Sequence, residues 1–117
     1  MAALTILGLQ KCSTCQKALA DLQAAGHQIT FRDVTETPLN EAEREELLTT
    51  FGEKLVNRAS LTWRAMTEDE RGADPITQLG AKPALMKRPA ILAGDAGKDG
   101  HWLGWTANVK RALGVPA

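Results

Sequence analysis

The chain has 117 residues, 44% of them hydrophobic and 24% charged, with fourteen basic residues balancing fourteen acidic ones. That length fits a single domain, residues 1–117, able to bury roughly 65% of its unfolded surface, and zero net charge excludes a general nucleic-acid binder. No apolar run approaches the ~20 residues of a membrane span and no basic-then-apolar leader opens the chain, so the cytoplasm is the expected location.

Ala3 to Gly8 reads as a short strand bounded by glycine, followed by a loop from Leu9 to Ser13. Cys15 to Ala25 carries Ala18, Leu19, Leu22 and Ala25 at helical spacing, and Gly26 stands where a helix stops. Gln28 to Val34 alternates polar and apolar residues, the pattern of a half-buried strand. These segments predict a parallel β-α-β unit. Asn40 with Glu43 predicts a capping box, Leu47, Leu48 and Phe51 an apolar face, and Gly52 the helix end. Seven acids against Arg44 between Asp33 and Glu53 read as a solvated face. Leu55–Met66 and Ile76–Leu85 are expected as two further helices, separated by the polar Thr67–Gly72 segment. Ala90 to Ala93 predicts a strand, Gly94 to Gly100 a hairpin turn, and His101 to Leu103 the antiparallel return. Thr106 is placed to cap a last helix through Leu113.

The two cysteines, Cys12 and Cys15, are three residues apart, and a disulfide between them closes almost no loop, so they point to chemistry more than to architecture. Cys12-Ser13-Thr14-Cys15 lies where the first strand hands over to the first helix. Unpaired N–H groups and the positive end of the helix dipole favour an anion there, which lowers a thiol pKa from ~8.5 towards neutrality. Lys11 and Lys17 add positive charge nearby in sequence. Cys12 is therefore the expected exposed nucleophile, and Cys15, one turn on, is spaced to resolve a mixed disulfide. Buried structural thiols and half of a zinc site are the competing readings. A zinc site needs a second ligand pair, and only the isolated His27 and His101 remain, so no metal is expected.

Lys87-Arg88-Pro89 stands just ahead of a strand. A proline there removes no ladder bond, and a cis Arg88–Pro89 bond turns the loop sharply. Arg88 then offers a planar fork of donors to an oxyanion or to the Cys12 thiolate. Trp63, Trp102 and Trp105 read as core or rim residues, with Trp105 beside Gly104 a candidate cleft wall.

Gly8-x-x-Lys11-Cys12-x-x-Cys15-x-Lys17-Ala18, Asn57-Arg58 with Thr62-Trp63-Arg64, Lys87-Arg88-Pro89, and Leu103-Gly104-Trp105 together resemble the arsenate reductase ArsC/Spx/YffB family, in order from Leu4 to Leu113. The resemblance implies an α/β thioredoxin-like fold: a mixed four-stranded sheet, β-α-β then β-β-α, with a helical insertion at about 37–86. It matches Cys12 to the catalytic cysteine, Arg58 and Arg88 to arginines that bind an oxyanion and stabilise the thiolate, and Pro89 to the family's cis-proline. Lys11, Ser13, Thr14, Pro89 and Trp105 are the expected substrate- or thiol-contacting residues. Where arsenate reductases place a third arginine this chain has Trp105, which is more similar to the YffB and Spx branches. The intact CxxC resembles Spx, and the Asn57–Arg64 stretch is similar to YffB-like reductases.

The expected function is thiol–disulfide oxidoreduction on a small-molecule thiol or oxyanion substrate, with glutathione or glutaredoxin as electron donor and no resident cofactor. The alternatives are a glutaredoxin-type arsenate reductase and an Spx-like redox-sensing regulator that docks on RNA polymerase. Neither direct nucleic-acid binding nor membrane attachment is expected.

Overall fold

The computed structural model describes residues 3–94 and 97–116. Strands β1 (Ala3–Gly8), β2 (Gln28–Asp33), β3 (Ala90–Ala93) and β4 (Gly100–Leu103) form a mixed sheet in the order β2-β1-β3-β4. Strand β1 pairs parallel with β2, with Gly8 opposite Asp33, and antiparallel with β3, with Leu7 opposite Ala90. Strand β4 returns antiparallel to β3, with Leu103 opposite Ala90. The architecture is thioredoxin-like α/β.

This register positions the site. The C-terminal ends of β1, β2 and β4 and the N-terminal end of β3 share one edge of the sheet. The loop after Gly8, the side chain of Asp33, the Arg88–Pro89 pair and the Gly104–Trp105 turn therefore all emerge at that edge.

The chain divides into two compact units, one made of the residues up to Asp33 together with those from Arg88 onward, the other of Val34–Lys87. In the first, the alternation of β1 sends Leu4 and Ile6 to one face of the sheet. There they join Leu22 of helix α1 (Ser13–Ala24), Ile91 and Ala93 of β3, and Val109 of helix α6 (Ala107–Ala112) in a buried cluster. The His27 ring, through Nε2, hydrogen-bonds the Leu113 carbonyl at 2.7 Å and ties the ends of both helices together. Thr106 caps α6 by accepting from the Val109 N–H.

The second unit is helical. Helix α2 (Glu41–Phe51) opens on the expected capping box: the Asn40 side chain accepts from the Glu43 N–H at 2.8 Å, and the Glu43 carboxylate accepts from the Asn40 N–H at 2.9 Å. It ends at Gly52, whose φ of 71° favours glycine.

Beyond Gly52 the helices are shorter than their pattern predicts. The stretch Leu55–Met66 is not one helix. A 3₁₀ turn spans Gly52–Leu55, Val56 forms an isolated antiparallel bridge with Met86, and only Leu61–Arg64 is helical, as α3. The bridge draws the backbone out: Asn57 N–H donates to Leu85 O, and Lys87 N–H to Leu55 O. Thr67–Gly72, expected as a polar separator, contains helix α4 (Glu68–Gly72), capped by a second box between Thr67 and Glu70. Ile76–Leu85 breaks in two, because Pro83 has no N–H to continue helix α5 (Pro75–Ala81), and a 3₁₀ turn covers Pro83–Leu85. In the expected Gly94–Gly100 hairpin turn, Asp95 and Ala96 lie outside the described residues, while the strands on either side pair as predicted. Among the described residues no helix is long and apolar enough to cross a membrane.

Candidate active site

Helix α1 begins two residues earlier than its apolar pattern implies, at Ser13, which makes Cys12 its N-cap and Cys15 its third residue. Cys12 has the extended backbone an N-cap requires, with φ −85° and ψ 114°. Its carbonyl accepts the first helical bond from the Gln16 N–H at 3.0 Å, and its own N–H donates to Leu9 O at 3.1 Å. The approach loop is anchored from β2, where the Asp33 carboxylate accepts from the Gln10 N–H at 2.8 Å, and Gln16 Nε2 donates to Gln10 O at 3.0 Å. The Cys12 backbone is thus held at the N-terminal end of α1.

The two thiols have opposite electrostatics. Burial opposes ionisation of Cys12, but the Cys15 N–H, the Cys15 thiol, the Arg88 guanidinium and the Thr14 N–H outweigh it, and its pKa falls below that of a free thiol. The sulfur completes no cap hydrogen bond, yet the Cys15 and Thr14 amides at the start of α1 favour its thiolate. Cys15 is entirely buried. Burial and the neighbouring Cys12 push its thiol up to about 11, against smaller opposing pulls from the Leu9 N–H and Arg88. A half-buried thiol whose ionisation is favoured over that of a free thiol therefore stands beside a buried one that keeps its proton.

Arg88 reaches the pair from the other side of the edge. It is half-buried and acts on both sulfurs, and its buried Nη1 makes no hydrogen bond. The Arg88–Pro89 peptide is cis, as expected, and Pro89 is fully buried. Pro89 O accepts from the Gly104 N–H at 2.8 Å, which fixes the turn that presents Trp105. Trp105 packs its ring against the buried cluster, with the Lys110 ammonium 5.9 Å from the ring centre. Its indole N–H approaches the Asp21 carboxylate without completing a hydrogen bond.

Lys11, Ser13 and Thr14 are exposed beside Cys12. Lys17, expected as a positive neighbour of the sulfur, instead reaches along α1 to Asp21 at 2.9 Å. Arg58 lies in the helical unit, exposed, with its guanidinium 5.5 Å above the Trp63 ring; Arg71 covers the same ring at 5.8 Å. Among the described residues no three of His, Cys, Asp or Glu gather to hold a metal ion.

Two residues of the site carry no obvious chemical signature in the sequence. Asp33 reads only as the polar end of a strand, yet it anchors the loop before Cys12. Gly8 reads as a strand terminator, yet a Cβ there would stand 2.6 Å from the Cys15 sulfur. Its signal was present all the same, in the fixed spacing of a glycine ahead of the cysteine pair.

No family model matches the chain, and no curated protein matches its sequence. Solved structures do. An arsenate reductase (ArsC) related protein from Brucella melitensis is 31% identical, with the match covering 96% of this chain and 93% of that one at a TM-score of 0.73. The chain belongs to the arsenate reductase (ArsC)-related family. The backbone of this ArsC-related protein is also similar to that of a YffB protein (TM-score 0.80, 22% identity, covering 94% of this chain and 97% of that one). An arsenate reductase from Vibrio cholerae gives a TM-score of 0.71 at 16% identity, covering 98% of both chains. At those identities the likeness is one of fold.

Proposed function

We propose that this ArsC-related chain is a cytoplasmic thiol–disulfide reductase that draws electrons from glutathione or glutaredoxin, with Cys12 as nucleophile. The observation that supports it is the pairing at the tip of α1: a half-buried Cys12 at the N-cap, its pKa lowered, with a wholly buried Cys15 in the first turn, its thiol pushed up to about 11. The Cys12 thiolate attacks one sulfur of a disulfide substrate. A Cys12–sulfur bond forms, the substrate S–S bond breaks, and the second sulfur leaves as a thiolate that takes up a proton. Cys15 then gives its proton to solvent and attacks the Cys12 sulfur, releasing the remaining substrate thiol and leaving a Cys12–Cys15 disulfide. Two electrons have passed from the dithiol to the substrate, and two glutathione thiols, or the dithiol of a glutaredoxin, return them. Alternatively glutathione attacks the substrate sulfur of the mixed disulfide directly and restores Cys12. Lys11, Ser13, Thr14, Pro89 and Trp105 are the thiol- or substrate-contacting residues in this reading, and Arg58 is a further arginine that the resemblance alone assigns to it.

Arsenate reduction is the second reading, favoured by the buried Arg88 Nη1, a donor with no partner of its own, as an oxyanion would require. Trp105, in place of a further arginine, and the CxxC favour the disulfide substrate and the likeness to YffB and Spx.

One panel tests both readings. NADPH consumption is followed with glutathione, glutaredoxin and glutathione reductase, using a glutathionylated peptide or arsenate as substrate. Peptide turnover is expected to vanish in Cys12→Ser and to persist in part in Cys15→Ser when glutathione is supplied. Turnover with arsenate alone would replace the first reading by the second. Equal rates in wild type and Cys12→Ser on both substrates overturn the proposal.

A further inference from the structure

We propose that Gly8 is a positioning residue for the dithiol: the side chain it lacks leaves the space the Cys15 sulfur occupies, and so sets where that sulfur stands against Cys12. The inference rests on the reading of Cys12 as the working thiolate and adds to it the element that holds its partner in place.

Gly8 is the last residue of β1 and is buried, paired with Asp33 across the sheet. Its φ is not positive, so the backbone there does not itself call for glycine. Space does. A Cβ built on Gly8 meets the Cys15 Sγ at 2.6 Å and the Cys15 Cβ at 3.3 Å, with Phe31 Cζ at 3.7 Å. Ordinary nonbonded contacts between such atoms lie at ~3.5–4.0 Å, so the sulfur has to move. It has nowhere free to go, because Cys15 is wholly buried in the first turn of α1. The end of β1 thereby supplies the space that the thiol occupies, and that thiol lowers the pKa of Cys12. Residue 8 touches no substrate; it acts through Cys15.

The test compares wild type, Gly8→Ala, Cys15→Ala and the double variant. The midpoint of Cys12 alkylation against pH and the thermal unfolding temperature are measured in each. Gly8→Ala is expected to raise the alkylation midpoint by about one pH unit, roughly tenfold less thiolate below the midpoint. Cys15→Ala raises it by a similar amount, and in the Cys15→Ala background Gly8→Ala adds nothing further, because the sulfur it would displace is gone. Gly8→Ala also lowers the unfolding temperature, and Cys15→Ala recovers most of that loss. If Gly8→Ala does not fold, the double variant is expected to fold, since Cys15→Ala removes the 2.6 Å overlap with the sulfur and leaves the milder 3.3 Å contact with the Cβ of residue 15.

An unchanged midpoint in a folded Gly8→Ala overturns the proposal. So does a shift of equal size with and without Cys15, or a double variant that fails to fold where Cys15→Ala alone succeeds. A wild-type midpoint at the value of a free thiol removes the thiolate reading instead, and the unfolding comparison then decides the Gly8–Cys15 contact by itself.

Discussion

Cys15 keeps its proton at neutral pH chiefly because it is buried, and this has a signature in stability. Burial holds its folded-state pKa at about 11, above the ordinary thiol value of 9.0 that the unfolded chain recovers. A raised pKa means the contribution is complete below the unfolded value and is lost as pH rises through the folded one. The difference amounts to about 2–3 kcal/mol. Denaturant unfolding of wild type and Cys15→Ala should therefore show a stability difference that is constant up to pH 9 and shrinks towards pH 11. A constant difference across that range would mean that Cys15 titrates as a free thiol does. Cys12 has the opposite sign: its lowered pKa adds stability above the free-thiol value, and that stability is lost as pH falls through the folded pKa. The sequence revealed Cys12 and Arg88 because a cysteine before a helix and an arginine before a proline have local meaning. Asp33 and Gly8 do not read as site residues from the sequence because their roles depend on partners 23 and 7 positions away, brought near only by the sheet and by α1.

Among the secondary-structure elements, local chemistry accounts for those whose boundaries the sequence marks. The capping boxes at Asn40 and Thr67 and the cap at Thr106 are satisfied by residues within three positions. Thr67 with Glu70 was the overlooked case, a box hidden in a run of charges that reads as loop. Asn40→Ala is expected to lower stability by about 1 kcal/mol, measured by urea unfolding, because the Glu43 N–H loses its acceptor while the rest of α2 is unchanged. No measurable loss would mean that water replaces the cap fully. The segment after Gly52 obeys a different constraint. Leu55, Val56, Leu85 and Met86 are all nearly inaccessible to solvent, and backbone bonds between the two stretches hold them together. Val56 and Met86 stand 30 positions apart in the chain, so local periodicity suggests two helices where the fold makes a bridge.

The whole molecule combines regions of very different local stability. Strand β1 is hydrogen-bonded on both sides and contributes Leu4, Ile6 and Leu7 to the interior. Helices α3 and α4, of four and five residues, bury no residue at all. Short helices gain little from their own hydrogen bonds, and protection from exchange follows buried, paired backbone. Hydrogen exchange should accordingly be slowest at the amides of Ile6 and Ile91 and fastest, among helical amides, in α3 and α4. Protection in α3 equal to that in β1 would show that the helical unit unfolds only with the sheet.

The two guanidinium groups over Trp63, from Arg58 and Arg71, give the helical unit its own optical probe. The chain has no tyrosine and three tryptophans, of which Trp102 and Trp105 belong to the sheet-bearing unit. Ultraviolet emission from the intact chain is therefore a sum over two chemically distinct settings, one beside guanidinium cations and the other packed against the buried cluster, with the Lys110 ammonium near the Trp105 ring. Replacing indoles one at a time with phenylalanine separates the two signals without attaching any dye.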